Sequence, residues 1–219
     1  MELAGIGAGN IANNGMSLDQ LPVNVFDLIL IAMLVLGVVR GRKHGMSIEL
    51  LLTVKWVIIL GIVSFLYEPV GRFLSDVASL SLLASLLIAY LGLLGILFGF
   101  FALVSRALGG KLLGSDVFGR AEYYLGMGSG VVRYACILLA VLAVLNARYY
   151  SPKQVSAMKA FQQDVYGSDF FPTLHSAQST VFEKSLTGPW IKQNLSFLLI
   201  KPTQFETRDM HQREANMLY

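Results

Sequence analysis

Four ionisable residues, Asp27, Glu49, Lys55 and Arg133, sit inside stretches that are otherwise apolar. Two acids and two bases removed from water can neutralise one another as ion pairs. They can equally line a polar route for an ion, a proton or a small solute. An unpaired charge at mid-bilayer costs ~2.5–3.5 kcal/mol on insertion scales, so residues of this kind are candidates for function by default. Glu49 and Lys55 are about 240° apart around a helix at ~100° per residue and cannot meet on one helix. Counted from the basic connections at ~1.5 Å per residue, Glu49 lies ~5 Å in, Lys55 and Arg133 ~12–14 Å, and Asp27 ~18 Å. Two pairings across helices satisfy those depths. Either Asp27 takes Lys55 and Glu49 takes Arg133, or the partners are exchanged. Structural pairing and a polar pathway both account for the residues at this point.

Other chemistry finds little support. His44, His175 and His211 are scattered, and no HExxH or Cys/His spacing suggests a metal. No Gly-x-Ser-x-Gly elbow is present, and His175-Ser176 reads as a solvated pair. GIGAGN near the start has no strand before it and no Gly-Lys-Ser/Thr after it, so it is not a phosphate loop. The expectation is a protein that is not an enzyme and carries no cofactor or metal. The single cysteine, Cys136, rules out an internal disulfide.

The elements that must position the four charges are transmembrane helices. The 219 residues are 55% hydrophobic and only 14% charged, with mean hydropathy +0.61. A soluble domain averages roughly 25% charged. The formal net charge of +3 gives no reason to expect nucleic acid; the partner that composition demands is a lipid bilayer. Four stretches approach the ~20 residues that cross ~30 Å of hydrocarbon: 23–39, 46–66, 80–104 and 125–145. The first is the shortest, and Asp27 falls within it or at its edge. The expected fold is all-α, a polytopic membrane protein of four transmembrane helices with a partly helical C-terminal tail. Its divisions are a flexible leader (1–22), the membrane domain (23–146), an amphipathic helical tail (147–203) and a disordered end (204–219). The leader lacks the basic start and compact apolar core of a signal peptide.

Connection chemistry sets the expected orientation. Arg40, Arg42 and Lys43 mark the first connection, and Arg106, Lys111 and Arg120 the third. By the positive-inside rule both face the cytoplasm, which leaves both termini outside. In the second connection, YEPVGRFLSDVAS, Val70, Phe73, Leu74 and Val77 suggest a short amphipathic turn at the interface. Gly37, Gly41 and Gly45, then Gly95 with Gly99 and Gly126 with Gly130, recur at i, i+4, the spacing that lets helices approach closely in lipid. In the tail, Ser151-Pro152 predicts a helix start and Gly167 its end. Trp190, Ile191, Leu195, Leu198 and Leu199 share one face of a further predicted helix, which either packs on the bundle or lies at the membrane interface.

With these residues in view, the chain resembles the colicin V production (CvpA) family of bacterial membrane proteins. The resemblance begins in FDLILIAMLVLGVVRGRKHGMSIELL, with Asp27, Gly41, Gly45 and Glu49 at the family's positions, and resumes in FGRAEYYLGMGSGVVRYACILL, which holds Arg133. It spans about residues 24–146. Lys55 is not part of that pattern, and the acid at Asp116 is shifted from it. The resemblance implies four helices in the bacterial inner membrane. It also implies a link to colicin V export or production and to envelope stress tolerance. The expected role is support of these processes through membrane-protein partners or as a small homo-oligomeric pore. The chain is also similar to the membrane part of certain membrane-anchored serine proteases, although its tail is too short for a protease domain.

Overall fold

The computed structural model describes residues 24–107, 121–167 and 173–204. The leader, Lys111, Arg120, Asp116 and the residues after 204 fall outside those ranges, and so does every expectation placed on them.

Helix α1 (Val25–Ala78) opens on a reciprocal cap. The Asn24 side chain accepts the Val25 N–H at 2.6 Å, while the Asp27 carboxylate accepts the Asn24 N–H at 3.2 Å. Its residues are helical throughout, yet it cannot be a straight rod. Phe26 and Val63 belong to one buried cluster, although a straight helix would hold them about 55 Å apart at ~1.5 Å per residue. Gly37 packs on Gly130 and Thr53 bonds to Ser129, neighbours on a single helix. The chain therefore doubles back between Gly41 and Glu49, and α1 forms two antiparallel arms. The second arm runs on through Pro69 to Ala78. Residues 67–79, expected as a connection with a turn at the interface, are thus mostly helix; the link to the next helix is only Ser79–Leu80–Ser81, with Ser79 left-handed at φ 51°.

Helix α2 (Leu82–Ala107) and helix α3 (Ala121–Asn146) complete the bundle, both packed on α1. Among the described residues, three stretches are long and apolar enough to cross a membrane: Glu49–Ala78, Leu82–Ala107 and Glu122–Asn146. Their outer faces carry exposed Phe65, Ile88, Ile96, Leu103 and Val141, the inside-out distribution that suits a hydrocarbon solvent.

The tail folds back on one end of this bundle. Strand β1 (Arg148–Tyr149) pairs in parallel with β2 (Thr203–Gln204), matching Arg148 to Thr203. Between them lie α4 (Pro152–Tyr166), α5 (Leu174–Phe182), α6 (Gly188–Asn194) and a 3₁₀ turn, Ser196–Leu198. Helix α4 has the boundaries its sequence marks. Ser151 caps it with Gln154 as reciprocal partner, and Gly167 ends it at φ 67°. Phe182, Ile191, Leu199 and Ile200 are buried with Tyr67, Tyr90 and Leu142 in the main core. Hydrogen bonds fasten that seam: Lys201 N–H to Tyr67 Oη (3.1 Å), Asn146 Nδ2 to Ile200 O (3.0 Å) and Asn24 Nδ2 to Thr180 O (3.0 Å). Outside it, Glu68 accepts from both Arg72 (2.9 Å) and Lys201 (2.7 Å).

Candidate functional site: the buried charges

The bundle holds two buried charge sites, one toward each end, with Lys55 apart from both. Near the turn of α1, the guanidinium of Arg133 meets the carboxylate of Glu49 at 2.8 Å. Glu49 is fully buried and Arg133 nearly so. One helical turn from each charge, Thr53 Oγ1 donates to Ser129 O at 2.8 Å, and Ser129 Oγ donates to Thr53 Oγ1 at 2.9 Å. Four polar side chains thus cross the contact between the second arm of α1 and α3.

Glycine also brings the first arm of α1, on the other side of the turn, close to α3. A Cβ added at Gly37 would lie 2.8 Å from the carbonyl oxygen of Gly130, and one at Gly41 would strike the carbonyl of Gly126. The backbones touch directly there, so any side chain must push the first arm off α3. Gly95 and Gly99 behave differently: nothing lies within 4 Å of a Cβ at either. Their expected part in packing is not played inside this chain, because α2 turns that face outward. The surroundings of Gly45 are outside the described set.

Asp27 lies at the opposite end, in a socket built by the tail. Its carboxylate accepts from Thr187 Oγ1 (2.8 Å), Leu186 N–H (3.1 Å), Thr187 N–H (3.4 Å) and Asn24 N–H (3.2 Å). It is 4% exposed, so these donors take the place of both water and a cation. This corrects the expected pairing of Asp27 with a base. Lys55 is not its partner; the ammonium lies 4.9 Å from the centre of the Phe98 ring, which also meets Trp56 edge-on. A cation over an aromatic face is stabilised by ~0.5–2 kcal/mol, an alternative to a carboxylate that depth counting cannot reveal.

The remaining residues singled out by sequence fall into place around these two sites. Arg40, Arg42, Lys43 and Arg106 are exposed at the end away from the tail. The expected face of Trp190, Ile191, Leu195, Leu198 and Leu199 is divided. Helix α6 stops at Asn194, Leu195 leaves helical geometry, Trp190 is exposed, and Ile191 and Leu199 are buried. The segment packs on the bundle rather than presenting one continuous apolar stripe. Sequence reasoning missed Thr53 and Ser129, although the signal was available. Thr53 follows Glu49, and Ser129 precedes Arg133, by four residues, so each shares a helix face with a charge. The Leu186–Thr187 socket carried no such signal, because its donors are largely backbone. Among the described residues no group of three or more His, Cys, Asp or Glu could hold a metal.

Apolar helices of spanning length, closely packed through glycine and crossed by a buried ion pair, define a helical integral-membrane protein. The family model for colicin V production protein matches residues 26–179, and the chain belongs to that family. The match runs beyond residue 146, where the resemblance read from sequence ended, and takes in β1, α4 and most of α5. Comparison with curated proteins and with solved structures finds no match.

Proposed function

We propose that this is a four-span protein of the bacterial inner membrane, with both termini outside the cytoplasm. It acts without catalysis in toxin production or secretion and in envelope homeostasis, through partner proteins or as a small oligomeric pore. The first arm of α1 serves as the fourth span. Its uncharged stretch is short, about 18 Å from Leu28 to Val39 at ~1.5 Å per residue, but the tail satisfies Asp27 and so extends the segment that lipid tolerates. The exposed basic residues Arg40, Arg42, Lys43 and Arg106 at the opposite end support a cytoplasmic position for that end.

The observation that carries the choice of scaffold over transporter is the direct Glu49–Arg133 contact with Glu49 fully buried. A carboxylate already neutralised between closely packed helices is ill placed to exchange a cation or proton with water. The polar cluster of Thr53 and Ser129 beside it favours the second reading, movement of a small solute or ion through the bundle. Proteoliposomes separate the two. A scaffold gives no ion or proton flux above empty vesicles, whereas a flux abolished by Glu49→Gln establishes transport. Topology is tested independently. A reporter active only outside the cytoplasm should work after Tyr219 and fail after Lys43; the opposite pattern inverts the protein.

A further inference from the structure

Helices α2 and α3 both lean on the second arm of α1, and between them lies an open apolar groove of about 570 Å³. Leu83, Leu87, Leu91 and Leu94 form one wall, and Ile137, Val141 and Val144 the other. Leu91 and Val141 are 55% and 60% exposed, so the groove opens to the surroundings of the bundle. Trp56, seated against Phe98, closes its inner end. From Leu83 to Leu94 a helix rises ~16 Å, about half of the ~30 Å hydrocarbon core. The groove is one leaflet deep.

Arg148 lines its outer end, where α3 passes into β1. The same Arg148 also lines a smaller polar pocket of about 110 Å³, together with His175, Gln178, Glu183 and Lys192. Its guanidinium lies over the Tyr150 ring at 4.6 Å, which orients it. Arg148 therefore borders both an apolar groove of leaflet length and a polar recess that Lys192 and Glu183 also line.

We propose that groove and recess together bind one anionic phospholipid, with an acyl chain between α2 and α3 and the headgroup phosphate at Arg148 and Lys192. The volume lies within the ~300–1,000 Å³ usual for small-molecule sites. Besides Ala140 and Ala147 the aliphatic walls are leucine, isoleucine and valine; a partner helix, ~10 Å across, would need a continuous face of small residues to seat so deeply. Any lipid tail fits an apolar groove, so selectivity comes from the cations, and arginine matches phosphate with paired hydrogen bonds. The site rests on the membrane placement proposed above, with the α3–β1 junction at a membrane face.

The test uses the full chain reconstituted in nanodiscs of equimolar phosphatidylcholine and phosphatidylglycerol, extracted into mild detergent, with retained lipids counted by native mass spectrometry. One phosphatidylglycerol should be retained in preference to phosphatidylcholine, by about fivefold for each cationic contact. Arg148→Gln should bring retention to the phosphatidylcholine level. Val141→Trp, which fills the groove without touching the recess, should lose both lipids at an unchanged melting temperature. Equal retention of the two lipids by the wild-type chain would overturn the proposal, whatever the variants do. So would phosphatidylglycerol retained by Val141→Trp and displaced by millimolar inorganic phosphate, which would mark a free-anion site. The reporter fusions fail or succeed separately: an inverted topology with selective retention keeps the lipid and moves it to the other leaflet.

Discussion

Removing one member of the Glu49–Arg133 pair should cost far more than removing both. The contact is 2.8 Å, Glu49 is 0% exposed and Arg133 9%, so Glu49→Leu strands a guanidinium where water does not replace the lost carboxylate. Breaking a buried pair costs ~3–5 kcal/mol in soluble proteins, and a lone charge at mid-bilayer ~2.5–3.5 kcal/mol on insertion scales. In lipid the unfolded helices also find polar partners, which lowers such values. A loss of about 2–4 kcal/mol is expected for either single leucine substitution. At ~1.4 kcal/mol per decade, that is between one and three orders of magnitude in the unfolding constant. The double variant, with two apolar side chains facing each other, should regain most of the loss. Reversible unfolding in mixed detergent micelles, run as a double-mutant cycle, reads the coupling directly. A cycle additive within ~0.5 kcal/mol would mean that the two charges do not hold each other in place, and the case for a scaffold would lose its main support.

Crossing Asp27→Asn with Lys55→Leu in the same assay should give additive losses, because Asp27 is bound by Leu186 and Thr187 and Lys55 rests on Phe98; coupling above ~1 kcal/mol would contradict that arrangement. Asp27→Ala should loosen the tail. A hydrogen bond to a charged group is worth ~1.5–3 kcal/mol, so amide exchange at Leu186 and Thr187 should accelerate at least about tenfold, and unchanged exchange would show the socket to be incidental. Gly37→Leu and Gly41→Leu should lower the detergent melting temperature sharply, since a side chain at either meets the backbone of α3. Gly95→Leu, with open space around it, should leave that temperature where it is, and an equal drop would mean that the glycine contacts are not special. Tyr67→Phe removes the acceptor for the Lys201 N–H and should cost about 1 kcal/mol, read in the same melts.

Much of the fold was legible because lipid imposes simple demands. Long apolar runs located α2 and α3 to within a few residues, and Ser151-Pro152 with Gly167 bounded α4. Charge complementarity brought Glu49 and Arg133 into consideration as one of two pairings. The errors share a cause in tertiary context. The expected connection YEPVGRFLSDVAS is instead helix, which continues through Pro69 and Gly71 to Ala78. Gly71 is needed where a Cβ would come within 2.7 Å of Leu86, and Tyr67 and Glu68 are held by Lys201. A cation beside Asp27 is the local expectation because a buried carboxylate needs compensation, and nothing local shows that backbone N–H groups from a distant loop supply it. Gly95 and Gly99 carry the same spacing as Gly126 and Gly130 but face outward, a distinction of rotation about the helix that spacing alone does not encode.

The Asp27 socket sets a schedule for biosynthesis. Its carboxylate is on the first turn of α1, and its donors Leu186 and Thr187 come about 160 residues later. At translation rates of roughly 5–20 residues per second, that interval is about 8–30 s. Throughout it Asn24 N–H is the one donor of this socket within reach of the acid. A carboxylate without its other donors favours water around the arm's first turn until the last elements emerge. If the first arm is the fourth span, the clamp that finishes the fold also times the commitment of that arm to the lipid.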